Sequence, residues 1–201
     1  MSIFKSISDF LVEALTPDMV KKQAAKRKPI TEGQRWALAA AAQLTALNRD
    51  SNDTLNPDPV KDSATWQSAL ITWWGVSDHA ELLDILNFLK EGGHRAKFRP
   101  VLGHDVLAWD LVRLINVARW GYGGRYLSEE EAWAQIMPAA SELHARYSSW
   151  DALAADYVLG HDAWAEGADP DLNRETRKLL DPADTKSPWN QVAWSSFKSG
   201  Q

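Results

Sequence analysis

The stretch from Ala108 to Trp133, AWDLVRLINVARWGYGGRYLSEEEAW, constrains the fold of this chain more than any other. Its first half places apolar residues around every side of a 3.6-residue helix and still carries Asp110, Arg113 and Arg119. A helix with almost no wet face must sit inside other elements. Its charges must be paired there or must line a pocket. After a Gly-rich break, Ser128 and Glu131 match a capping box, and Glu129 and Glu130 add negative charge at the same helix's positive end.

The rest of the chain also reads as helix after helix. Thr31 opens a helix whose stripe is Trp36, Ala39, Ala40, Gln43, Leu44 and Leu47. A polar linker, NRDSNDTLNPDP, separates it from a helix spanning about Val60 to Trp74, which Gly75 stops. Asp78 and Glu81 match another capping box, and Gly92 and Gly93 supply the stop. His94, Arg95, Lys97 and Arg99 then read as a short basic connection ending at Pro100, with the central helix running from about His104 to Trp120. Pro138 is expected to kink or split the helix that follows Ser128. Ser148 or Ser149 caps the next helix, and Asp169-Pro170 opens a last polar helix ending near Leu180. The tail SPWNQVAW is expected to lie across the surface with its indoles as anchors. No strand-like alternation competes, so the fold class is all-α: one compact multi-helix domain, residues 31–201, with an N-terminal helical arm, residues 1–30.

The arm is amphipathic, with Phe4, Ile7, Phe10 and Leu11 on one face and Lys21, Lys22, Lys26, Arg27 and Lys28 behind it. Residues 1–30 hold six Lys/Arg against three Asp/Glu, while the remainder holds 16 against 24. The arm face reads either as a partner- or membrane-facing surface or as a helix packed on the domain. A net charge of −5 argues against general nucleic-acid binding. No stretch approaches the roughly 18–20 apolar residues of a membrane span, and no signal peptide is evident, so a cytoplasmic location is expected. The absence of cysteine removes disulfides, thiol catalysis and thiolate metal sites. Eleven tryptophans predict a core stitched by indole hydrogen bonds, or an aromatic surface.

The polar candidates gather around the central helix. Asp110 and Arg113 are three apart and can meet on one helix, either as a structural ion pair or as the floor of a polar pocket. Two glycines before His94 and Arg95 let both side chains reach a common site. Arg95 suits an anionic ligand, or else holds a helix end or a buried acid. His104-Asp105 and His161-Asp162 invite comparison with the helical metal phosphohydrolases of the HD class, which could also draft His94 and Asp110. Two-letter motifs arise by chance, however, and a metal site is not expected. HExxH, P-loop, GxGxxG and GxSxG signatures are absent, and no cofactor is expected.

WGVSDHAELLDILNFLKEGGHR, AWDLVRLINVARWGYGGRYLSEEEAW, SSWDALAADYVLGHDAW and SPWNQVAW resemble a bacterial family known as domain of unknown function 1266, over about residues 70–197. The first thirty residues look unlike that family's core. The resemblance implies a mostly helical bacterial protein and brings no reaction, substrate or cofactor. It implies that the family's shared polar positions fall on His94, Arg95, Asp110, Arg113, Arg119, Glu130, Glu131 and Ser149.

Three functions fit these residues. The leading one is a protein-binding module of adaptor or immunity-like type, drawing on the acidic body, the tryptophans and the arm. The second is an enzyme or small-anion-binding protein built on His94, Arg95, Asp110 and Arg113, with Arg119, Glu130 and Glu131 as further candidates. It requires those side chains to converge on an open cavity. The third is peripheral membrane attachment through the first helix.

Overall fold

The structure is a computed structural model, and it describes residues 29–198. The chain divides into two units, Met1–Ile30 and Thr31–Gln201. The arm face formed by Phe4, Ile7, Phe10 and Leu11 lies outside the described residues. The described residues are helical throughout their regular structure, with no strand among them.

The helices follow in chain order: α1 Glu32–Ala40, α2 Ala42–Asn48, α3 Ser63–Trp74, α4 His79–Glu91, α5 Arg95–Leu102, α6 Leu107–Gly123, α7 Glu129–Arg146, α8 Trp150–Ala165, α9 Pro170–Leu180 and α10 Pro188–Gln191. Local chemistry starts several of them. Thr31 and Gln34 close a capping box on α1, and Ser128 and Glu131 close one on α7. Ser149 caps α8, and Asp169 with Pro170 starts α9. On α4 the box stays open. Asp78 accepts from the Glu81 backbone, but the Glu81 side chain accepts from Ser77 instead.

Helix α6 is the hub. Every residue from Leu107 to Gly121 is buried, and α3, α4, α7 and α8 pack around it. Gly160 permits the approach of α8, because a Cβ there would overlap the Trp109 side chain. The α6 N-terminus has no cap from its own Val106. Asp156 of α8 and the Tyr147 hydroxyl instead accept from the Ala108 N–H, at 3.1 and 2.9 Å, and Tyr147 donates to Asp156. Burial, reinforced by the Asp156 carboxylate, raises the Tyr147 pKa, so it remains a hydroxyl.

The tryptophans divide between core and surface. Trp36, Trp66, Trp109, Trp120, Trp133, Trp150 and Trp189 are buried, whereas Trp73 and Trp164 are 73% and 54% exposed. Indole N–H groups tie the C-terminal tail inward: Trp36 donates to the Trp194 carbonyl, Trp150 to Val192 and Trp189 to Ala39. The tail therefore does not simply lie across the surface, since Trp189 is buried in a stack with Trp150.

Several boundaries differ from the sequence expectations. A turn at Ala41 separates α1 from α2. Helix α3 starts at Ser63, where Asp62 can cap it, rather than at Val60. The basic connection is helix α5, with Pro100 inside it, and α6 begins at Leu107 rather than His104. Pro138 does not split α7. Each proline removes one backbone bond, to the carbonyl four residues earlier. Those carbonyls belong to Ala96 and Ala134, both exposed residues, where water can replace the partner.

Candidate functional site

Asp110 is fully buried, and four donors surround its carboxylate. Oδ1 accepts from the His94 backbone N–H at 3.2 Å and from Arg113 Nη2 at 2.5 Å. Oδ2 accepts from the Arg95 backbone N–H at 3.0 Å and from Arg95 Nη1 at 3.1 Å. The carboxylate thus satisfies the first turn of α5 from another helix and complements its positive end. Gly93 makes this possible. Its φ is +50°, and a Cβ there would collide with the Asp110 carboxylate.

Arg95 joins three elements. It donates to the Leu89 and Lys90 carbonyls at the end of α4, and its Nε lies 3.3 Å from Asp105. It binds both a helix end and a buried acid, and every strong interaction it makes is internal. Arg113 is differently placed. Its Nε donates to the Trp109 carbonyl and its Nη2 to Asp110 and to His94 Nδ1, while Nη1 has no hydrogen-bond partner among the described residues. Its guanidinium carbon lies 3.9 Å from the centre of the Trp109 ring. Burial lowers the Arg113 pKa, and the charge of Asp110 opposes that shift.

Because a guanidinium can only donate, His94 Nδ1 accepts its 3.0 Å contact, and the neutral ring carries its proton on Nε2. The ring packs edge-on against Phe88 and Trp74. Burial lowers its pKa. The charges of Arg113 and Lys97 act in the same direction, and Asp110 acts against them. The unfolded chain therefore takes up a proton at His94 that the folded chain resists, so stability rises with pH across this window. The contribution is present above about pH 6.5, the ordinary histidine value, and is lost as pH falls toward the lowered folded value. Urea midpoints measured from pH 8 to pH 5 are expected to fall more steeply for the native chain than for His94→Gln. Equal slopes would mean that His94 titrates as it does in the unfolded chain.

His94 and Arg113 form one end of a cavity of about 640 Å³. Its walls come from α2, α3, α4, α6 and α8, and Trp73, Phe88 and Trp164 give it an exposed aromatic rim. This size is within the range of small-molecule sites. Asn116 and Tyr157, each about 1% exposed, also line it. Asn116 Oδ1, Asn48 Nδ2 and Trp109 Nε1 are buried without hydrogen-bond partners among the described residues. The Tyr157 hydroxyl is engaged by no hydrogen bond among them either, and burial keeps it protonated by raising its pKa.

The structure separates the remaining candidates from this cavity. Arg119 is fully buried and points at the 49–55 loop, donating to Thr45 Oγ1 and to the Ser51, Thr54 and Leu55 carbonyls. Burial lowers its pKa to about 10, so it remains charged at neutral pH. Glu130 is exposed on the first turn of α7. Glu131 completes the α7 capping box and meets His79 at 3.2 Å. These three are corrections to the single polar pocket expected from sequence. His104 pairs with Asp156, and His161 with Asp162 and Asp169; among the described residues no three acidic or histidine side chains gather to hold a metal ion. Sequence reasoning missed Asn116, although a polar residue on an all-round apolar helix carries the same signal as Asp110. Trp74 and Phe88 gave no local signal, and His161 was noted only within the His161-Asp162 motif.

No described helix is long and apolar enough to cross a membrane. The chain is similar to a protein of Escherichia coli (strain K12) named uncharacterized protein YbeR, with 26% identity over 141 residues. The alignment covers 49% of this chain and 58% of that protein, so the chain spans little more than half of the relative's length. No solved structure matches. Residues 101–194, which include Asp110, Arg113 and Asn116 but neither His94 nor Arg95, match the family described as Protein of unknown function (DUF1266), and it is this family that the chain resembles.

Proposed function

We propose that this chain is a small-molecule-binding protein whose ligand enters the cavity between α2, α3, α4, α6 and α8. The observation that carries the reading is the junction of a hydrogen-bonded His94–Arg113 pair with an aromatic cavity of about 640 Å³. Arg95 and Asp110 act behind that pair as positioning residues, fixing the ends of α4, α5 and α6 against one another. The exposed Trp73 and Trp164 line the same cavity and suit a ligand's entrance.

Native mass spectrometry of the full chain after exposure to a bacterial metabolite extract tests the reading. One small molecule per chain is expected. Leu47→Trp, which adds bulk to a wall of the cavity, should abolish retention while the thermal melt stays cooperative. No retained molecule, or equal retention by Leu47→Trp, would overturn the proposal.

A further inference from the structure

Resting on that reading, we infer that the ligand is a planar aromatic carboxylate, its ring system among the indoles and its carboxylate at Arg113 and His94. The polar lining is rich in donors. Among the described residues Arg113 Nη1 and the His94 Nε2–H have no partner, and the Trp109 indole N–H and Asn48 Nδ2 are buried without one. The Tyr157 hydroxyl can donate as well, and Asn116 Oδ1 is the one buried unpartnered acceptor among the described cavity-lining side chains. A ligand at the His94–Arg113 end must present acceptors to those two donors.

The charge at the cavity has a sign. No described Asp or Glu lines it, and the Asp110 carboxylate is occupied by its four donors. Arg113 is the fixed full charge on the described lining, with Asp110 behind it as its counterion, so its free Nη1 rewards an acceptor and disfavours a cation. Arg113 Nη1 is the free guanidinium donor, and a carboxylate is the acceptor that a guanidinium N–H binds most strongly. The walls select the remainder. Trp74, Trp109, Trp120 and Trp164 present ring faces and edges that reward a flat π system over a flexible alkyl chain.

Isothermal titration of the full chain with 1-naphthylacetate, 1-naphthylmethylamine and dodecanoate separates the possibilities. The naphthyl acid is expected to bind, with the amine and the alkyl acid each at least about tenfold weaker, the scale of one charge-assisted hydrogen bond. His94→Phe keeps a ring beside Phe88 and Trp74 but removes the donor, and should weaken the naphthyl acid by roughly tenfold. Asn116→Leu gives a second reading should His94→Phe fail to fold, and should relax discrimination among ring systems while leaving the preference for an acid over an amine. An amine that binds as well as the acid, or dodecanoate that binds better, would overturn the ligand class. If a metabolite were still retained and lost in Leu47→Trp, only this inference would fall. Retention of no small molecule at all would remove the pocket reading with it.

Discussion

Asp110→Asn is expected to destabilise the domain by roughly 3–5 kcal/mol, the scale of breaking a buried ion pair from one side. Every contact that Asp110 makes is with a donor, two from backbone and two from guanidinium groups. An amide has one acceptor oxygen, so its NH2 must face an N–H. It also leaves Arg113 buried with no carboxylate partner, and Arg95 with Asp105 alone. For a domain of this size each kcal/mol moves the melting temperature by about 2–4 °C, so a fall of roughly 6–20 °C is expected. Thermal and urea melts measure it. A loss below about 1 kcal/mol, within the range of an exposed pair, would mean that water reaches the carboxylate and that the network is peripheral. The consequence for function is direct: Asp110 holds the α5 start and Arg113 in place, so the same substitution should also displace the donors at the end of the cavity.

Arg119→Met is the second large effect, at about 3–5 kcal/mol. The methionine fills part of the volume but satisfies none of the acceptors at Thr45, Ser51, Thr54 and Leu55. It also removes a fully buried positive charge beside Asp50, whose side chain is 1% exposed and keeps Lys61 as its counterion. Because these contacts fasten the 49–62 segment, limited proteolysis should cut there faster in the variant, ahead of global unfolding. The next residue, Trp120, both lines the cavity and donates to Asp50 at 3.4 Å, so the loop and the cavity wall share a support. Unchanged cleavage with an unchanged melt would show that the loop is held by its own turns and that Arg119 is dispensable.

Much of the helical frame was legible because helix signals are local. Thr31, Ser128, Ser149 and Asp169 satisfy N–H groups two or three residues ahead of them, so the spacing alone predicts the start. The all-round apolar pattern after Ala108 similarly required α6 to be enclosed, and it is. The starts of α5 and α6 were not legible, because their caps come from distant residues: Asp110 for α5, Asp156 and Tyr147 for α6. Sequence spacing cannot reveal an acceptor 15 or 48 residues away.

The same limit governed the site. The sequence required the charges on the central helix to be paired or to line a pocket, and it brought Asp110 and Arg113 within reach of each other through their three-residue spacing. Only the tertiary structure sent Arg119 to the loop and Glu131 to a cap, turned Arg95 inward, and left His94 and Arg113 facing a cavity. A cavity is the space left where several helices fail to meet. Its lining comes from residues scattered between Leu44 and Trp164, and their side chains converge only once the helix crossings are fixed by packing around α6.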